Sequence, residues 1–395
     1  MRELKLKDCC ISVSDGDHLP PPKVNNGIPF ITISNIDSSN HIDFKNTLFV
    51  PEEYYENLDN IRKPIINDIL YSVVGSFGKA VLIKENKKFV FQRHIAILRP
   101  NPDIVNPSYL YYIMSSKSFY NKADVVAIGA AQRTISLTSL RNLEINLPTI
   151  DIQNRIAEIL SRYDSLIENF QKQIKLLEES AQRLYKEWFV DLRYPGHENT
   201  KVVDGVPEGW SFSCLNSIAT DSGIKENKGN LTQYNYYLPL DCLPSKSIAY
   251  FESKSINLAE SSLIGFHKND ILFGALRPYF HKVVIARHSG ITRSTCFVLN
   301  AKKPEYWTYL VMLLYSKQTI DYATQNAIGT TMPYIRLRDF MQMKILIPDF
   351  TILYMFTNKI EHTLHLIKVN AELIINLTEA RDRLLPKLMS GEIEV

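Results

Sequence analysis

The chain has 395 residues, of which 45% are hydrophobic and 22% charged, with a formal net charge of +3. This is an ordinary globular composition; the small net charge neither demands nor rules out a nucleic-acid partner, since a basic surface can sit on a near-neutral chain. No run of 18 apolar residues argues for a membrane span, and the five cysteines, none in a C-x-x-C pair, argue against a disulfide framework or a zinc site and for a reducing, cytoplasmic compartment.

In chain order, MRELKLKDCC shows no apolar core of the kind a secretory signal needs, so none is expected. Residues 1–13 alternate and predict a strand. SDGDHLPPPKVNNG (14–27) is a loop by its turn formers, and IPFITISNID (28–37) is β-rich. Two strands, DILYSVV (68–74) and KAVLIKE (79–85), flank a GSFG turn (75–78), with a third at FVFQRHIAILRP (89–100). PSYLYYIMSSKSFYNKA (107–123) predicts a helix with proline in its first turn. AIGAAQRTI (127–135) is a loop, and LEINLP a strand.

From 151 to 190 there is neither Gly nor Pro, and apolar residues step by three and four through Leu160, Tyr163, Ile167, Phe170, Ile174, Leu177, Ala181, Leu184 and Trp188. This is a heptad seam. At 1.5 Å per residue it predicts a rod of roughly 60 Å, and so narrow a stripe requires a partner helix. Residues 351–390 supply one, with Phe356, Ile360, Leu364, Ile367, Ala371 and Ile374 in heptad-like spacing that then slips. Pro195-Gly196 stops the first rod, and Pro386 is expected to kink or end the second.

The chain repeats itself. Pro348 follows Pro148 by 200 residues; NDILYSVVGSFGKAVLI (67–83) matches NDILFGALRPYFHKVVIA (269–286); Arg93 matches Arg293; AIGAAQRTISLTSL (127–140) resembles AIGTTMPYIRLRDF (327–340). Two copies of one unit follow, each a mixed globular module and then a long helix. The frame repeats while the turns do not: GSFGK stands against LRPYFHK, AAQRT against TTMPYIR. Variation confined to polar loops suits modules that share a scaffold and read different things.

Catalytic patterns are weak. NPSY (106–109) resembles the [DN]-P-P-[YF] of amino-methyltransferases, but no glycine-rich S-adenosylmethionine fingerprint precedes it, and a helix start with proline explains it. GSFGK is too short for a phosphate loop and runs into a strand. No His and carboxylate set has metal or nuclease spacing, so no metal and no cofactor is expected. A self-contained methyltransferase or nuclease would need such a site; a coiled-coil scaffold without DNA is the other rival.

Several strings go beyond pattern. PTIDIQNRIAEIL (148–160), QRLYKEWFVDLRYPG (182–196), VPEGW (206–210) and ARDRLLPKLMSGEIEV (380–395) resemble the specificity subunit of type I restriction–modification systems, over essentially the whole chain. The resemblance implies a non-catalytic reader of double-stranded DNA, with two target-recognition domains on an asymmetric bipartite site. It implies helices that set the spacer and dock two copies of a methyltransferase subunit, which carries the S-adenosylmethionine chemistry, with a restriction/translocase subunit joining. Two departures stand out. The chain lacks a P-x-G-W entry to its first domain, and DFTILYMFTNKI follows Pro348 in place of a glutamine-rich start.

The expected fold is α+β, with a pseudo-two-fold repeat: target-recognition domains at 1–150 and 208–349, a linker at 196–207, and long helices at 151–195 and 350–395 forming an antiparallel coiled coil. Loop position and chemistry nominate Lys79, Gln132, Arg133 and Thr134 for DNA contact in the first domain. In the second they nominate Arg277, Tyr279, His281, Lys282, Tyr334 and Arg336. Trp188 and Phe189 are candidates for methyltransferase docking, against the alternative that they pack the helix end.

Overall fold

The computed structural model describes all residues except 1, 17, 19–20, 37–39, 76 and 130–132. The chain divides into two compact units, Met1–Ser165 with Glu379–Val395, and Leu166–Thr378. The division therefore falls inside both long helices, Ile150–Tyr185 and Phe350–Ser390, rather than at their ends.

In the first unit a four-stranded antiparallel sheet runs in the order Cys10–Asp15, Ile95–Pro100, Ile69–Ser72, Ala80–Leu82. Alternation decides its two faces. Ile69, Tyr71, Ala80, Ala96 and Leu98 face Tyr109, Leu110, Met114 and Phe119. Leu70, Val81, Ile95 and Ile97 face Ile31, Phe89 and Phe91. Burial on both sides is why the central strand reads as a continuous apolar run. The second face is covered by a smaller sheet in which Ile28–Ile31 pairs antiparallel with Leu48–Val50 and parallel with Val90–Phe91. Arg2–Lys5 pairs antiparallel with Glu144–Leu147, tying the start of the unit to the strand before the long helix.

The expected first strand is interrupted: Leu6–Cys9 forms a helical turn between Arg2–Lys5 and Cys10–Asp15. The helix expected at 107–123 is two helices, Pro107–Ser115 and Lys117–Val126. Ser116 is extended between them, and its hydroxyl accepts from the Phe119 N–H, capping the second. Asn106 caps the first through the Tyr109 N–H, so NPSY is a helix start.

The second unit repeats the plan. Its four-stranded sheet runs Ala219–Asp221, Cys296–Ala301, Ile271–Gly274, Val283–Ile285, and its three-stranded sheet runs Ile224–Glu226, Leu263–Phe266, Gly290–Arg293. Ser211–Cys214 pairs antiparallel with Lys344–Ile347. Ile271 and Phe273 pack on Tyr309, Leu310 and Phe340, while Leu272, Val284 and Val298 pack on Phe266 and Leu238.

The helix seam is buried unit by unit. In the first, Ile156, Ala157 and Leu160 share a core with Leu388, and Arg381 bonds Asp164 at 2.7 Å. In the second, Asn370 donates to Gln173 at 3.2 Å while Phe356 lies against Tyr185 and Trp188. Residue number rises on one helix as it falls on the other, so within each unit the pairing is antiparallel. Leu160, Ile167, Ile174 and Ala181 are buried and the seam residues between them, Tyr163, Phe170 and Leu177, are half-buried, as a two-helix seam requires. Pro386 does not end the second helix, which continues to Ser390. Leu388 is fully packed there, with Leu384 and Leu385 against the same core, and that burial offsets the lost backbone bond. Among the described residues no helix is long and apolar enough to cross a membrane.

Candidate nucleic-acid interface

Three loops meet at one end of each unit, held by the same backbone ladder. In the first, Val73 N–H donates to His94 O, Gly75 N–H to Arg133 O, and Ile135 N–H to Val73 O, at 2.9, 3.0 and 2.9 Å. In the second, Ala275 donates to Thr295, Arg277 to Pro333, and Ile335 to Ala275, at 2.9, 2.7 and 3.1 Å. Thr134 bridges Ile128, and Tyr334 bridges Ile328, closing each loop on itself. The sequence-nominated residues are thus brought together, three described ones in the first unit and six in the second; Gln132 lies outside the described residues. The ladder also fixes the true register of the repeat. His94 and Thr295 make the same bond, so Arg93 stands where Ser294 stands, and the Arg93–Arg293 match is one residue out.

The side chains divide into those that hold the loops and those that face out. Lys79 and Lys282 are counterparts, since Ser72 N–H bonds Lys79 O and Gly274 N–H bonds Lys282 O. Their ammonium groups do the same job: Lys79 Nζ donates to Ile36 O and Lys282 Nζ to Leu240 O, both at 2.8 Å. Each pins a neighbouring loop, and burial pulls the Lys282 pKa below its ordinary value. His281 Nε2 lies 2.9 Å from Tyr315 O; a carbonyl only accepts, so this nitrogen carries the proton. Burial lowers the His281 pKa, which keeps the ring neutral. Arg133 forks onto Asp124 with Nε at 2.9 Å and a terminal nitrogen at 2.7 Å, the two side chains being 40% and 44% exposed.

Facing out are Tyr279 and Arg336, both exposed, with Tyr334 half-buried and its hydroxyl 3.4 Å from Ser294 O. Arg277 donates to Thr331 O at 3.2 Å, but its Nε is buried with no partner among the described residues. Arg277 and His281 both have left-handed backbone, φ 51° and 53°. For residues other than glycine this costs on the order of 1 kcal/mol each. At the corresponding places of the first unit stand Gly75 and Gly78, φ 72° and 92°. A Cβ on Gly78 would sit 2.5 Å from the Tyr120 ring, so only glycine fits.

Lys23, Gln92, Arg93 and His94 were not nominated. They line a cavity of about 360 Å³ in the first unit, with Phe30 and Leu48 in its wall, and Lys23 and Arg93 are exposed. The signal was Arg93 itself, singled out by the repeat but not placed at the loop end until the His94 bond put it there.

For Trp188 and Phe189 the burial favours the helix-end packing alternative over docking. They are 4% and 7% exposed, in a π-helical turn at Lys186–Val190. Phe189 meets Phe356, Tyr309 and Trp210 with ring centroids 4.8, 4.9 and 5.9 Å apart. Aromatic packing at the helix end holds them, and it also explains VPEGW: Val206–Pro207 pairs with Val202–Val203, Gly209 turns at φ 83°, and Trp210 enters the same core. Among the described residues no group of three or more His, Cys, Asp or Glu side chains could hold a metal ion.

Residues 4–179 match the family model for the type I restriction modification DNA specificity domain. The chain is 28% identical over 314 residues to the type I restriction enzyme MjaIX specificity subunit of Methanocaldococcus jannaschii, covering 74% of this chain and 70% of that one. A putative MjaX specificity subunit of the same organism is 24% identical, covering 99% and 93%. The crystal structure of a type I restriction–modification S subunit from M. genitalium superposes with a TM-score of 0.60 at 16% identity, covering 98% of this chain and 95% of that one. At that identity the likeness speaks for the α+β fold alone.

Proposed function

Since residues 4–179 match the type I restriction modification DNA specificity domain and the chain is similar along most of its length to type I specificity subunits, we propose that it is a specificity subunit of a type I restriction–modification system and reads an asymmetric bipartite DNA site, one half-site per unit. The observation that supports this reading is the duplicated loop ladder: one backbone frame, two sets of outward side chains. In the first unit Arg133, Thr134 and Gln132 contact base edges or phosphate, with Lys23 and Arg93 adding cations. In the second, Arg277, Tyr279, Tyr334 and Arg336 do so. Lys79, His281 and Lys282 position the loops, because their polar heads are already spent on carbonyls. The paired helices set the spacer and dock two methyltransferase subunits, and a restriction/translocase subunit joins that complex. The reaction belongs to those partners.

Genome-wide methylation mapping in the native host, with and without the gene, tests the reading. Loss of one asymmetric two-part methylated motif on deletion is expected. An unchanged methylome in a strain whose methyltransferase co-purifies with this chain would sink it.

A further inference from the structure

The turn at residues 277–282 pays twice for its side chains. Gly75 and Gly78 meet the same backbone demand in the first unit without strain, yet the second unit places Arg277 and His281 there. Arg277 also buries an unpartnered Nε. Between the two strained residues, Pro278–Phe280 forms a short 3-10 turn with Pro278 buried. Tyr279 and Phe280 project from it, 49% and 43% exposed, with ring centroids 4.8 Å apart. The mount is rigid: Arg277 N–H bonds Pro333 O at 2.7 Å, His281 O accepts from Lys246 N–H at 2.8 Å, and the His281 ring and Lys282 ammonium are both tied down.

Among the described residues of the first unit this device is absent. Its turn is one residue shorter, and Phe77, at the position of Phe280, is 7% exposed and stacked on Tyr120 at 5.0 Å. The counterpart of Tyr120 is Ile320, which offers no such ring. Two exposed aromatic rings on a strained, anchored tip, beside a guanidinium with donor capacity to spare, fit a duplex whose bases they can part. Apolar side chains inserted between base steps unstack and kink DNA, and aromatic faces stack on bases of any sequence.

We propose that the 277–282 turn is a wedge: Tyr279 and Phe280 press into a base step of the half-site read by the second unit, while Arg277 holds the groove edge beside it. This rests on the DNA-reading function above. It predicts an asymmetry: beyond the target base that a methyltransferase extrudes, one further step is unstacked at the second half-site and none at the first.

The test uses the full chain assembled with its methyltransferase subunit, on duplexes carrying the mapped motif. 2-Aminopurine is placed step by step through both half-sites. On binding, fluorescence should rise at the target base that a methyltransferase subunit extrudes in each half-site, and severalfold at one further step in the second half-site alone. Tyr279→Ala/Phe280→Ala should abolish that further rise and weaken specific binding roughly tenfold or more, with binding to random DNA little changed. Arg277→Gly relieves the backbone, so it should keep the wild-type melting temperature while specific affinity falls. Specific binding without the further rise, or a further rise that survives the double substitution, would overturn the wedge and leave the DNA-reading function standing. Binding no tighter to the motif than to random DNA would overturn both.

Discussion

At the scale of single residues, Glu178 carries an unusual cost. It lies on the first long helix, 6% exposed, and its carboxylate accepts from the Ser247 hydroxyl at 2.7 Å and the Ile248 N–H at 2.8 Å. Burial raises its pKa to about 7; the hydrogen bonds oppose the rise and Glu179 adds to it. A carboxyl whose folded pKa lies above its unfolded value binds more protons in the folded state. Its contribution to stability therefore falls as pH rises from about 4.5 to about 7. Glu178→Gln should flatten the dependence of unfolding free energy on pH across that window, by up to about 2–3 kcal/mol; denaturant titrations at pH 5 and pH 8 would show it. Arg133 is the opposite case, a half-exposed ion pair worth at most about 1 kcal/mol to folding. Arg133→Ala should leave the melting temperature nearly unchanged. Read by competition binding against half-site variants, it should relax or weaken one half-site by about 1–3 kcal/mol.

At the scale of elements, the helix pair shows how a seam and a polar lock divide the work. Leu160 is fully buried, and Leu160→Ala should cost about 2–5 kcal/mol in chemical unfolding. Asp164 takes hydrogen bonds from the Tyr112 hydroxyl at 2.6 Å and Arg381 at 2.7 Å, with its own side chain 14% exposed. Arg381→Ala leaves that carboxylate without its cation and should cost about 2–4 kcal/mol. Arg381→Ala/Asp164→Asn should recover part of it, and a double-mutant cycle in urea measures the coupling. The heptad seam was legible because burial on one narrow face imposes its own period on the sequence. The break at Ser116 was not, since a capping serine inside an apolar run looks like any helical residue until its hydroxyl is seen to accept the Phe119 N–H. Pro386 misled for the converse reason: tertiary packing of Leu388 outweighs a local breaker.

At the scale of the whole molecule, the proposed ruler makes a sharp prediction. Seven residues inserted into both helices, between Ser165 and Leu166 and between Thr378 and Glu379, lengthen each by about 10.5 Å. At 3.4 Å per base pair the methylated motif should gain a spacer of about three base pairs and keep both half-sites. Insertion into one helix alone should abolish methylation, because the paired seams lose register. Methylation mapping of the engineered strains reads both outcomes; an unchanged spacer would remove the helices from that role.

The repeat, the α+β plan and the two rods lay open in the sequence, because periodic burial and duplicated turns leave patterns that need no coordinates. The loops that face outward were found for the same reason: they are where the two copies disagree. Which of their side chains are free was decided only by the tertiary structure. Lys79 and Lys282 look like phosphate contacts in the sequence and turn out to clamp the carbonyls of Ile36 and Leu240. Trp188 and Phe189 admit either docking or core packing in the sequence, and the fold packs them in the core. Arg93 came to the loop end only through the bond to His94 beside it. A donor's chemistry is written in its residue type, but whether it is already spent depends on an acceptor tens of residues away, and only the folded chain brings the two together.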